Sequence, residues 1–197
     1  MAIVREQVGM ADVSTLGKID VQGPDAAEFL NRVYVNGFAK LPIGKARYGF
    51  MLREDGIVMD DGTTARLAEE RWLMTTTTAN AAKVLQHLEF CHQIHWPDLD
   101  VRMATVTDQW AQVALAGPRS RDVLAKVVDA RFDVSDACLP YMRACEVTLQ
   151  GGIRARVFRI SFSGELAYEI AVPARWGCVL MQRLADAGAP EGIAPYG

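Results

Sequence analysis

One short unit occurs twice in this chain and narrows the folds open to it. Residues 15–21 alternate in the manner of a strand, Gly23-Pro24-Asp25 punctuates, and Ala26, Ala27, Phe29, Leu30 and Val33 then form the apolar stripe of a helix. Pro24 suits the first turn of that helix, where no amide donor is needed. Further on, residues 110–116 are strand-like, Gly117-Pro118 punctuates, and Val123, Leu124, Val127 and Val128 line one side of a second helix. Shared turn chemistry alone produces some of this similarity. Each unit is nevertheless followed by further strands, so the pattern predicts an α+β fold with two related lobes of mixed or antiparallel sheet and packed helices, approximately residues 1–98 and 99–197.

Between the two units lies the segment richest in chemical cues, residues 46–67. Residues 48–52 form a strand candidate, Arg53-Glu54-Asp55-Gly56 carries the Asp-Gly signature of a tight hairpin, and Ile57-Val58-Met59 begins the return strand. Asp60 and Asp61 follow at once. Adjacent residues of a strand point to opposite faces, so at most one of the pair can face a given cavity. Acids at a strand end also serve as turn residues or caps. Residues 71–76 are a further strand, and Thr77-Thr78-Ala79-Asn80 can cap a helix carrying Ala82, Val84, Leu85 and Leu88. Downstream, residues 101–107, 143–149, 153–161 and 167–172 read as strands, with Gln150-Gly151-Gly152 and Ser163-Gly164-Glu165 as turns, and residues 173–187 as a last helix. Glu169 lies between Tyr168 and Ile170, where an acid either reaches the surface by alternation or is held by paired donors.

Composition excludes several functions. With 197 residues, half of them hydrophobic, the chain can bury an ordinary core. A formal charge of -3 leaves no basic footprint for nucleic acid. No stretch of about 18 apolar residues suggests a membrane span, and no leader-like run opens the chain, so a cytoplasmic place is expected. Cys91, Cys138, Cys145 and Cys178 show no CxxC spacing and read as reduced thiols. His87, Cys91 and His95 recur at helical spacing, which fits either a metal stripe or two partly exposed histidines beside a buried thiol; the second is the expectation, with no metal. Dinucleotide and Walker loops, HExxH and GxSxG are all missing from the sequence.

Four ordered motifs carry a family resemblance across nearly the whole chain. They are residues 9–18 (Gly-Met-Ala-Asp-Val-Ser-Thr-Leu-Gly-Lys), residues 21–26, the run Gly56-Ile57-Val58-Met59-Asp60-Asp61, and Ser163-Gly164-Glu165 with Tyr168-Glu169-Ile170. Together they resemble the glycine-cleavage T-protein, or aminomethyltransferase, folate-binding family. Within it, Lys45-Ala46-Arg47-Tyr48-Gly49, residues 60–67 and the 75–80 tract are similar to the carboxy-terminal half of the α subunit of heterotetrameric sarcosine oxidase. Gly62-Thr63-Thr64 stands where T-proteins usually carry an aliphatic segment, which favours the oxidase branch.

The resemblance implies a tetrahydrofolate site. Asp61 matches the acid beside the reactive N10 of the folate, Tyr48 and Tyr141 match aromatic positions that line the ligand, and Thr77 matches a further binding position. Phe162 replaces a family tyrosine, and Glu169 matches the glutamate that recognises the pterin ring. A carboxylate can accept two parallel N–H bonds from such a ring edge. The implied reaction is capture of the one-carbon unit of oxidised sarcosine as 5,10-methylenetetrahydrofolate, with Asp61 steadying developing positive charge. FAD, FMN and NAD belong elsewhere in the implied complex, with the other sarcosine oxidase subunits as partners. Relatives continue past residue 197 into a helix with a folate-holding arginine and a β-rich domain, so the resemblance implies a fragment cut before that domain, with weak or no folate binding and no activity alone. The alternatives are a free-standing aminomethyltransferase of the glycine cleavage system and a non-catalytic folate-dependent scaffold.

Overall fold

The structure is a computed structural model that describes residues 2–197. In chain order the first elements are α1 (Ala2–Glu6), β1 (Gly9–Asp12), β2 (Gly17–Gln22), α2 (Ala26–Val33), β3 (Ala46–Leu52), β4 (Val58–Ala68), β5 (Arg71–Thr76), α3 (Ala81–Phe90) and β6 (Arg102–Thr105). They are followed by β7 (Trp110–Ala116), α4 (Ser120–Val127), β8 (Ala144–Leu149), β9 (Ile153–Phe158), β10 (Ala167–Pro173), α5 (Gly177–Gly188) and β11 (Ala194–Pro195). Two compact units result, one of Thr15–Thr107 and one joining the segment up to Ser14 with Asp108–Gly197.

This division differs from a cut near residue 98 at two places, and strand pairing explains both. β6 pairs antiparallel with β2, which keeps residues 102–105 in the first unit. β1 pairs antiparallel with β7, which places the amino-terminal strand in the second.

In Thr15–Thr107 the strands run in the order β3-β4-β5-β2-β6, all antiparallel. Ile19 and Val21 lie opposite Met74 and Trp72 on one face of the sheet. That face packs on Phe29 and Leu30 of α2 and on Val84 and Leu88 of α3, all buried. α3 runs on into a π-helical turn, Cys91–His95.

The second unit is a six-stranded sheet, β11-β1-β7-β10-β9-β8, antiparallel except where β11 lies parallel to β1. Met10, Leu115, Tyr168, Ile170 and Val157 share one face and pack on Val123, Leu124 and Val127 of α4 and on Leu180 and Leu184 of α5. The last helix begins later than the sequence suggests. Pro173 closes β10, a 3₁₀ turn covers Ala174–Trp176, and α5 starts at Gly177.

The repeated strand-Gly-Pro-helix unit has one physical cause in both places. Gly23 (φ 134°) and Gly117 (φ 125°) take backbone angles that side chains disfavour. A Cβ at Gly23 would also lie 2.1 Å from the Asp100 carbonyl oxygen, and one at Gly117 would lie 2.4 Å from that of Gln7. Each glycine thus lets a neighbouring chain segment close over the turn from strand into helix. Gly117→Ala should therefore lower the unfolding free energy by about 1–3 kcal/mol. Gly152→Ala, which also has positive φ but meets nothing within 4 Å, should cost less. Urea denaturation of the two variants checks the order.

Candidate functional site

The β3–β4 hairpin separates the two adjacent acids. Asp60 lies opposite Met51 and Asp61 opposite Phe50, so consecutive residues of β4 leave the sheet on opposite sides. Asp60 is only 5% exposed. Its carboxylate accepts bonds from the Thr77 backbone N–H (3.3 Å), the Thr77 hydroxyl (2.7 Å) and the Asn80 side-chain amide (3.1 Å). The same amide donates to the Met59 carbonyl at 3.0 Å. A buried carboxylate is tolerated when donors surround it in this way. Asp60 thereby ties β4 to the turn that begins α3.

Asp61 takes the opposite role. Its Oδ2 accepts a hydrogen bond from the Tyr48 hydroxyl, one strand away. Tyr48 is 43% exposed and packs edge-on against Phe50 at 5.1 Å between ring centroids. Tyr48, Phe50, Asp61 and Thr63 share one face, and the Thr63 hydroxyl meets that of Thr75 at 3.0 Å. The hydrogen bond to Asp61 is the main reason the Tyr48 phenol is raised above its ordinary pKa, with smaller contributions from desolvation and from the nearby carboxylate charges. Thr77, by contrast, is bonded to Asp60 and not to Asp61. Tyr34 was not singled out by sequence because it sits just past a helix end. Burial pushes its phenol up to about 12, with the charges of Asp60 and Asp61 adding to the effect.

In the second unit Glu169 projects from β10 and accepts a hydrogen bond from the Gln112 side-chain amide of β7. Gln112 and Arg156 both lie opposite Ala171, so they share the Glu169 face, the one turned away from α4 and α5. The Arg156 guanidinium stacks over Trp110 at 4.1 Å and donates to Glu146 at 3.3 Å. Tyr141 and Phe162 are exposed, and neither side chain makes a hydrogen bond or ring contact among the described residues. Sequence reasoning missed Gln112, since nothing in its strand distinguishes it from an outward-facing polar residue.

His87 and Cys91 meet at 3.5 Å, while His95 turns to the Phe90 ring at 5.2 Å. Burial lowers the His87 pKa and raises that of the Cys91 thiol. No group of three His, Cys, Asp or Glu suited to a metal occurs among the described residues. Nor is any described helix long and apolar enough to cross a membrane.

A family model, the GCVT N-terminal domain, matches residues 1–197. The chain belongs to that family. This GCVT domain is 62% identical over 195 residues to the sarcosine oxidase subunit alpha of Rhizobium meliloti (strain 1021), covering 98% of this chain and 20% of that protein. An aminomethyltransferase of Streptomyces avermitilis is 34% identical over 194 residues, covering 98% of this chain and 50% of that protein. Among solved structures, the glycine cleavage system aminomethyltransferase T of Bartonella henselae superposes with a TM-score of 0.83 at 28% identity, over 100% of this chain and 49% of that one. Heterotetrameric sarcosine oxidase from Corynebacterium sp. U-96 gives 0.68 at 16% identity, over 96% of this chain and 88% of that one, and shows likeness of fold. The GCVT domain therefore spans about a fifth of its oxidase relatives and half of its aminomethyltransferase relatives.

Two outcomes separate the paired acids. Asp60→Ala, which strips an acceptor from buried donors, should cost about 1–3 kcal/mol of stability, whereas Asp61→Ala should change it by less than about 0.5 kcal/mol, both read from chemical denaturation. A raised phenol pKa means that folding favours protonated Tyr48, so its stabilising effect is present below the ordinary tyrosine pKa and is lost as pH rises through the folded value. Tyrosine-labelled NMR titration should find Tyr48 ionising above the ordinary value in the wild type and returning toward it in Asp61→Ala.

Proposed function

We propose that this chain is the tetrahydrofolate-binding part of a sarcosine-oxidase-type α subunit. In this reading the folate captures the one-carbon unit of oxidised sarcosine as 5,10-methylenetetrahydrofolate, in a cytoplasmic complex whose flavin and nicotinamide cofactors and other subunits lie outside this chain. One observation carries it: a carboxylate held by a single tyrosine on the open face of β4, within a chain 62% identical to a sarcosine oxidase α subunit. The 34% identity to an aminomethyltransferase is lower, which leaves the free-standing enzyme as the weaker reading.

The residues suit such a ligand chemically. Asp61 offers Oδ1, which meets no hydrogen-bond donor among the described residues, to an amine or to developing positive charge, while Tyr48 fixes the carboxylate through Oδ2. The exposed Tyr48 and Phe50 rings offer an aromatic surface for a flat ligand. Thr77 contributes through Asp60, by fixing the strand that presents Asp61. In the other unit, Glu169 is assigned to the pterin edge, and the exposed Tyr141 and Phe162 rings to flanking contacts. Bound tetrahydrofolate would supply the amine nitrogens that accept the one-carbon unit. Asp61 orients the reacting amine and handles its proton, a role typically worth about 10²–10⁴ in rate.

In the full-length enzyme supplied with sarcosine and tetrahydrofolate, Asp61→Ala should lower formation of methylenetetrahydrofolate by at least about 10²-fold while peroxide formation from sarcosine continues. An unchanged yield of methylenetetrahydrofolate would remove Asp61 from the chemistry.

A further inference from the structure

The Gln112 side chain lies beside Glu169 and is left short of one hydrogen bond. Gln112 is 1% exposed. Its backbone N–H donates to the Ser14 hydroxyl at 2.9 Å and its carbonyl accepts from the Val13 N–H at 2.9 Å, so its place on β7 is fixed. The side-chain amide donates through Nε2 to Oε2 of Glu169. The side-chain oxygen Oε1 is buried and has no hydrogen-bond partner among the described residues. A buried acceptor without a donor costs on the order of a full desolvation penalty. Rotating the amide by half a turn gives no relief, because Oε1 would then face the Glu169 carboxylate, acceptor against acceptor.

We propose that Gln112 is a ligand-recognition residue, whose Oε1 accepts an N–H from the same ring edge that Glu169 reads. This rests on the folate reading above and adds a specificity element to it. Gln112 Oε1 and the Glu169 carboxylate are acceptors side by side on one sheet face, tied by the Nε2–Oε2 bond. Such a pair suits a heterocycle edge with adjacent N–H donors, the 2-amino-4-oxo-pyrimidine type. A carboxylate takes a ring N–H together with one hydrogen of the exocyclic amino group. The second amino hydrogen is then left for a neutral acceptor at its side. A neutral amide fits that place better than a second carboxylate, which would repel Glu169. The Nε2 bond also steadies the carboxylate, so one side chain both orients Glu169 and extends it.

The test uses the full-length protein in its native assembly and calorimetric titration with folinic acid and with its 2-desamino analogue. In the wild type, folinic acid should bind more tightly than the analogue. Gln112→Leu, close in volume, should weaken both ligands through the loosened Glu169 carboxylate but folinic acid about tenfold more than the analogue, so the preference narrows by that factor. Equal weakening of both ligands would mean that Gln112 acts by packing alone and would overturn the inference. So would an unchanged preference, with Oε1 then satisfied by a buried water. In either case folinic acid binding by the wild type leaves the folate reading standing. A wild type that binds neither ligand refutes the folate reading and this inference together.

Discussion

The Asp60 carboxylate is the constraint on which the presentation of Asp61 depends. Three donors from Thr77 and Asn80 converge on it and lock the start of β4 to the turn that opens α3. Because side chains alternate along a strand, fixing Asp60 inward fixes its neighbour outward. The energy that would be lost in burying a charge is offset locally by hydrogen bonds. Asp61 is then free of structural duty. Tyr48, Phe50 and Thr63 share its face, and its carboxylate accepts a hydrogen bond from the Tyr48 hydroxyl. Adjacent acids of identical chemistry are thus divided between structure and chemistry by strand geometry alone.

The second unit applies a similar division to a whole sheet. Its apolar face packs on α4 and α5, while the other face carries Trp110, Gln112, Glu146, Arg156 and Glu169 in neighbouring positions of four strands. Arg156 is 3% exposed and lies between an aromatic ring and a carboxylate. Tyr196 responds to this surface as well: burial raises its phenol pKa, and the charge of Glu169 raises it further. A polar row of this kind is costly unless its groups are paired, which is why the unmet Gln112 oxygen beside Glu169 carries weight.

Much of the fold was legible in the sequence because its signals are local. The Asp-Gly hairpin of β3–β4, the Gly151-Gly152 hairpin of β8–β9 and both strand-Gly-Pro-helix units depend on residues close in the chain. Strand partnership is not local. β1 joins β7 and β6 joins β2 across about 80 to 105 residues, and no neighbouring residue announces either pairing. The start of α5 was displaced because Pro173 can end a strand as readily as it can open a helix. Of the site, alternation alone foretold that Asp60 and Asp61 part company, but not which of them is buried. Family resemblance supplied Tyr48, Glu169 and the other ligand positions. Gln112 and the burial of Tyr34 required coordinates, because burial depends on segments distant in sequence.

Amide hydrogen exchange of the full-length protein, with and without folinic acid, tests the central claim most directly. Ligand addition should slow exchange in β3 and β4 around Tyr48 and Asp61 and in β10 around Glu169, with the Cys91–His95 turn unaffected. Protection confined to that turn, or no change in β4 under saturating folinic acid, would contradict it.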